Sequence, residues 1–408
     1  MSTRPITSVA PAPVDRRPGV TVLGGFSPPA TEAVARSLLV TDPRLLLVRH
    51  DLTRVRDGFV RRVVRTAGTI IEDVIVRLVH GCVACTLRDD VLPTLVRLGR
   101  ERPGSDLVLA LSNVVEPEAV AAACAHGAVD GVPVTDALRF DSYVTVVEAR
   151  GLLDDLACTD DLRDRDLHAA EQDGRSIAAV VARQIEYADT IVVWGRPDDH
   201  AEALLHRLAP WATQVRVGDT PTIDCTALAA RLRGTGRHDP STPGMLGRAL
   251  EGLPIGVHDP DGGSVLFRAR RPFHPVRLHT ALPELTGAAL RGRGQLWLAS
   301  QPDVAIGWES AGGGIALGAL GPWLDALPVA RWGAASDLRL LAADLDWDPY
   351  YGDRRTVLAF IGLDLAPDAL TERLTDCLVT DAEIADPTGI SDPFTGFFPV
   401  DPKEDCDT

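Results

Sequence analysis

Lysine is all but missing from this chain. Of its 41 basic residues, arginine supplies every one except Lys403, close to the C-terminus. A GC-rich genome is the simplest cause. Whatever the cause, no chemistry in the folded body has a lysine ammonium to draw on. Long apolar runs are missing too. No stretch reaches the roughly 20 residues that cross a bilayer, and the opening MSTRPITSVAPAPVDRRPG has no apolar core of signal-peptide type. A cytoplasmic protein with no membrane partner is expected. Seven cysteines over 408 residues are no disulfide framework; thiols or a metal are expected instead. Neither GxSxG nor a Ser-His-Asp spacing occurs. An excess of positive charge is also absent. The net charge of −16 argues against binding free DNA, though not against docking on the basic proteins of a ribonucleoprotein.

What is present describes a soluble globular chain, 45% hydrophobic and 24% charged. At roughly 100–200 residues per domain, two domains are expected. Residues 1–17 are Pro/Arg-rich and read as disordered. Short apolar runs at Val20–Leu23, Leu45–Val48, Leu107–Leu111 and Ile191–Trp194 alternate with helical stretches near 31–39, 91–98, 118–125, 177–187 and 201–208. That alternation predicts a doubly wound, mostly parallel α/β sheet over 18–232. Residues 233–262 read as a linker, beginning with an aperiodic Gly/Pro/Thr/His stretch. A smaller α+β domain is expected over 263–385. It has a helix near 276–285, strands near 295–299 and 356–363, a Gly312-Gly313-Gly314 turn and a helix near 369–378. An acidic tail follows at 386–408.

Several blocks resemble the CobW family of P-loop metallochaperone GTPases. They are HGCVACTLRDD (80–90), RFDSYVTVVEA (139–149), QIEYADTIVV (184–193), RRPFHPVRLH (270–279) and WDPYYGDRR (347–355), with TDAEI at 380–384. The resemblance implies a P-loop-GTPase-like sheet followed by a CobW C-terminal domain. CVAC, the altered P-loop, RRPFHP and ESAGGG (309–314) together look most like the MRF branch. That branch is associated with zinc limitation and recruits a hibernation factor to the ribosome. The reading this implies is a zinc-linked adaptor whose partners are a ribosome hibernation factor and the ribosome. The alternatives are a GTP-dependent zinc metallochaperone and a zinc-binding sensor.

A working P-loop, GxxxxGK[ST], cradles phosphates with backbone N–H groups, a lysine and a hydroxyl. Here Gly24 and Gly25 open the matching stretch, Thr31 stands where the family has lysine, and Glu32 where it has serine or threonine. Pro28 and Pro29 lack N–H donors. Charge-assisted phosphate contacts are worth roughly 1.5–3 kcal/mol each, so GTP and Mg²⁺ are not expected cofactors. Gly24-Gly25 reads better as an ordinary strand-to-helix turn. Ala110 and Asn113 replace further family residues. In place of the base-reading NKxD stands Trp194-Gly195-Arg196-Pro197-Asp198, where Asp198 is a remnant one residue out of register.

Cys82 and Cys85 have C-x₂-C spacing, which suits two of the thiolates of a tetrahedral zinc. His80 is the candidate third ligand, and Glu72 or Asp73 is a candidate to close the shell. The alternatives are a redox pair and structural thiols. Ala84 replaces a family cysteine. His274 and His279 read as turn-holding histidines rather than ligands, and Asp89-Asp90 as the acidic start of a helix. Arg270, Arg271, Arg354 and Arg355 form local basic patches that suit a partner surface. The bland alternative is that they pair with Asp346, Asp348 and Asp353.

Overall fold

The computed structural model describes residues 15–170, 173–218, 223–256, 263–386 and 389–396. Most of the stretch expected to be disordered at 1–17, and much of the acidic tail with Lys403, lie outside the described residues.

The chain begins its fold with β1 (Gly19–Gly24), every residue of which is buried. Val20 and Val22 join one core cluster and Leu23 another, as expected of a strand covered on both faces. There follow α1 (Pro28–Leu39), β2 (Leu46–Asp51), and a hairpin of β3 (Phe59–Arg65) and β4 (Ile70–Arg77). Next come α2 (Val83–Thr86), a π-helical turn over Leu87–Val91, α3 (Leu92–Glu101), β5 (Leu107–Ala110) and α4 (Pro117–His126). A small pair, β6 (Ala128–Val129) and β7 (Val132–Pro133), leads through α5 (Val134–Ala137) into β8 (Arg139–Glu148). The first domain ends with α6 (Leu152–Ala157), α7 (Ile177–Glu186), β9 (Thr190–Trp194), α8 (Asp199–Leu208), β10 (Thr213–Val217) and α9 (Cys225–Leu232). Among the described residues these strands form an eight-stranded sheet, ordered β10-β9-β8-β1-β5-β2-β3-β4. It is parallel as far as β2, and β3 and β4 add an antiparallel edge.

The segment expected as a loose linker is tied down at its start. The backbone N–H groups of Thr235 and Gly236 donate to the buried Asp141 carboxylate at 3.1 and 2.8 Å, and the His238 N–H donates to the Asp141 carbonyl. Then α10 (Met245–Leu250) packs Met245 and Ala249 beside Ile255 and Ala359 of the second domain. That domain runs β11 (Ser264–Ala269), α11 (Pro275–Gly287), β12 (Arg291–Leu298), β13 (Gln301–Ala311) and β14 (Gly314–Pro322). It continues with α12 (Asp337–Leu345), β15 (Thr356–Ile361), α13 (Pro367–Asp376) and α14 (Asp381–Ala385). Its sheet is antiparallel, ordered β11-β15-β12-β13-β14. The protein is thus α/β, a P-loop-GTPase-like sheet followed by a smaller antiparallel domain.

A buried ionic seam joins the two domains. Glu186, at the end of α7, receives Arg291 Nε and Nη2 at 2.8 Å each and Arg293 Nη1 at 2.6 Å, and all three side chains are buried. Glu309 on β13 accepts from Arg291 at 2.9 Å and from Arg183 of α7. Burial alone would raise the Glu186 carboxyl, but the two arginines outweigh it and hold the pKa below its ordinary value.

Candidate nucleotide cleft and cysteine turn

A cavity of about 450 Å³ opens at the C-terminal ends of β1, β2 and β5, where doubly wound sheets hold their ligands. Gly25, Thr31, Glu32, Arg49 and His50 line it. Gly25 must be glycine, since a Cβ there would collide with the Val146 carbonyl. From that point the chain turns straight into α1. Ser27 is the N-cap and Pro28 and Pro29 open the first turn. Proline suits that position because its missing N–H would be unpaired there anyway. The same choice leaves two fewer donors facing the cleft. Thr31 N–H closes the first helical bond onto the Ser27 carbonyl at 3.1 Å, and the Thr31 hydroxyl donates to the same oxygen at 2.9 Å. Ser27 Oγ donates to Glu148 at 2.6 Å. Glu32 is held by Arg36 at 2.7 Å and Arg49 at 2.9 Å. Asp198, expected near the base, caps α8 instead, accepting the Ala201 N–H at 2.8 Å. A short polar side chain beside a helix start satisfies an orphan N–H in this way.

Cys82 and Cys85 share one tight turn at the start of α2. Cys82 is the N-cap, and its Sγ accepts the Cys85 N–H at 3.3 Å. Both thiols are free, and Cys85 is buried. The Cys82 sulfur, hydrogen-bonded beside it, raises the Cys85 pKa. The expected outer ligands do not join them. His80 is exposed. Glu72 pairs with Arg62 at 3.2 Å and Arg97 at 2.7 Å, and Asp73 with Arg61 at 2.7 Å. Among the described residues no three His, Cys, Asp or Glu side chains gather as a metal shell. The reason is local: Glu72 and Asp73 on β4 lie diagonal to Arg62 and Arg61 of β3, which, with Arg97 of α3, take both carboxylates.

The sequence reading missed His50 and Asp90. The π-helical turn after the cysteines carries Asp90 inward, where it meets His50 Nε2 at 2.7 Å and Arg62. Asp90 is therefore a buried ion-pair partner, whereas Asp89 stays outside on Arg88 at 2.7 Å. Facing a carboxylate, His50 Nε2 carries the proton. Its Nδ1 is left without a hydrogen-bond partner. The two residues lie forty positions apart on different elements, so no spacing announces the pair.

The arginines expected on a partner surface mostly brace the second domain. Arg270 donates to the Arg354 carbonyl at 3.0 Å and pairs with Asp346 at 2.6 Å. Arg354 donates to the Pro302 carbonyl at 2.7 Å and pairs with Asp325. Arg271 reaches the Val379 carbonyl at 3.3 Å and Asp381. Arg355 is buried, which lowers its pKa. His274 holds a turn, as its neighbourhood suggested: it caps α11, with Nδ1 3.5 Å from the Arg277 N–H.

Residues 56–218 match the family model of the CobW/HypB/UreG nucleotide-binding domain. Residues 263–378 match that of the cobalamin synthesis protein cobW C-terminal domain. The protein named Zinc chaperone Rv0106 of Mycobacterium tuberculosis is 35% identical over 315 residues, covering 76% of this chain and 75% of that one. The chain belongs to the CobW/HypB/UreG family. A second family relative, Zinc-regulated GTPase metalloprotein activator 1 of Dictyostelium discoideum, is 28% identical over 342 residues, 79% of this chain and 70% of that one. Among solved structures, Zn(II)-bound YjiA GTPase from E. coli aligns over 89% of this chain and 99% of that one, at 15% identity and a TM-score of 0.35. The CobW/HypB/UreG match begins at residue 56, beyond the Gly24–Glu32 stretch. Among the described residues no helix is long and apolar enough to cross a membrane.

Proposed function

We propose that this family member carries zinc as cargo on the Cys82–Cys85 turn, in the cytoplasm. The observation behind this reading is the turn itself, which holds the Cys82 thiol at the N-cap beside that of Cys85 in the first helical turn. Two thiolates fill half of a tetrahedral shell. Structural zinc sites are closed by four protein ligands, whereas a half-filled shell leaves positions for the protein that gives or receives the ion. The names of two relatives, a zinc chaperone and a zinc-regulated activator, support the same class of work. The test is a competition titration of reduced, metal-free protein. About one zinc per chain is expected, lost in the Cys82→Ser, Cys85→Ser double variant. An unchanged affinity in that variant, or none in the parent chain, returns the pair to a redox or structural role.

We infer further that GTP and Mg²⁺ contribute little. Supporting this are the Pro28-Pro29 helix start, the Thr31 hydroxyl turned back on Ser27, and a glutamate where the hydroxyl ligand would be. From the same loss follows a second reading, an adaptor of the MRF branch that brings a ribosome hibernation factor to the ribosome. A fold released from phosphate chemistry can serve as a docking frame. Co-sedimentation with ribosomes from zinc-limited cells tests it. Ribosome association that needs the chain supports the adaptor, and its absence leaves the chaperone reading alone.

A further inference from the structure

On the opposite edge of the first sheet, at the N-terminal ends of β8 and β9, lies a second cavity of about 410 Å³. It shares no lining residue with the cleft above. Part of its wall is aromatic. The Tyr143 ring lies 5.5 Å from that of Tyr187, edge to face, and 4.5 Å from the ring of His238. His238 is brought there by the tied-down segment that follows the first domain. Tyr143 is buried, and its hydroxyl faces the Cys124 thiol, a weak partner, with no oxygen or nitrogen partner among the described residues. A buried hydroxyl satisfied by no more than a thiol is weakly held, and a cavity beside it has room for a better partner.

Glu118 supplies the charge. Its carboxylate lies against Gly244, in the space a Cβ would take. Nothing in the described structure donates a hydrogen bond to it. The nearby Glu116, Glu186 and Glu309 are each paired with arginine. The arginines that line the same cavity are already neutralised. Arg17 pairs with Asp15 at 2.6 Å, and Arg139 with Asp141 at 2.9 Å.

An unpaired carboxylate beside aromatic side chains is complementary to a cation with an apolar body. Ammonium groups over tyrosine faces gain from the ring quadrupole, the more so when desolvated. We propose that this cavity is a binding site for a small organic ammonium ion, with its charge on Glu118 and its body against Tyr143, Tyr187 and His238. A phosphate or nucleotide is disfavoured here by the Glu118 carboxylate. The site is separate from the cysteine turn and is independent of the zinc reading.

The test uses the full-length protein at pH 8, where the Glu118 carboxyl is ionised and the amine still protonated, with benzylamine and its neutral isostere, benzyl alcohol, followed by calorimetric titration. Saturable benzylamine binding at millimolar concentration or tighter is expected, with benzyl alcohol at least about tenfold weaker. Glu118→Gln should weaken benzylamine by at least about tenfold, with benzyl alcohol unaffected. Tyr143→Phe keeps the ring and should leave most of the affinity, whereas Tyr143→Ala should lose it. A thermal melt of each variant separates lost binding from lost folding. Equal binding of the amine and the alcohol, no amine binding at all, or an unchanged affinity in Glu118→Gln would each overturn the proposal. Nucleoside binding that displaces the amine would reassign the cavity to a neutral heteroaromatic ring.

Discussion

Glu118 is a carboxyl that its surroundings work against. Burial first, and then the Glu309, Glu186 and Glu116 carboxylates, lift its pKa from 4.5 to about 7, with Arg183 opposing. The folded chain thus holds this proton more tightly than the unfolded one. Its contribution to stability is complete below pH 4.5 and is lost as the pH rises through about 7. The always-neutral Glu118→Gln variant should match the parent near pH 4.5. It should exceed the parent by about 3 kcal/mol at pH 8, since one pKa unit is worth about 1.4 kcal/mol. Urea unfolding at the two pH values measures it, and a gain independent of pH would refute the linkage. Nothing in the sequence marks Glu118, because its partners come from α7, β13 and the segment at Gly244. Cys82 and Cys85 were legible because both thiols sit on one local turn. The arginines at 270, 271, 354 and 355 were legible only as charge. What Arg270, Arg271 and Arg354 bind is largely backbone carbonyl oxygen, which a sequence does not display.

At the scale of elements, the strands most readable in advance are those buried on both faces. Leu107–Ala110 and Ile191–Val193 are unbroken apolar runs, and Val20–Leu23 is broken only by the buried Thr21, because helices cover them on either side. The β3–β4 hairpin was missed. Its arginines and acids pair across the two strands, so its alternation looks like a solvated coil rather than half of a sheet edge. The entry to α1 has a direct functional consequence. A phosphate cradle needs a run of free N–H groups before the helix begins. Here the helix begins at Pro28 and Pro29, and the first free donor past them is that of Ala30. A multiple-turnover assay with Mg²⁺ should show no GTP hydrolysis above background. A rate that disappears in Thr31→Ala would reveal a phosphate site of another construction.

For the molecule as a whole, the ionic seam decides how the two domains behave. The resemblance blocks QIEYADTIVV and ESAGGG each contribute one carboxylate to it, Glu186 and Glu309. Removing one member of a buried ionic group strands the others without water, at roughly 3–5 kcal/mol. Glu186→Gln should therefore destabilise by that order, and the loss should appear in one calorimetric transition rather than as early melting of a single domain. Two separate transitions in the parent chain would show that the seam does not couple them. The Glu186 pKa lies below its ordinary value, so this stabilisation is present above pH 4.5 and is lost as the pH falls through the folded pKa. One more thing follows for anyone who would trade parts between relatives. A C-terminal half transplanted from another family member arrives with its own ionic complement to α7. Unless that complement matches Arg183 and Glu186, the graft places like charges together in a dry joint. The exchangeable unit is then the second domain together with α7, rather than the domain alone.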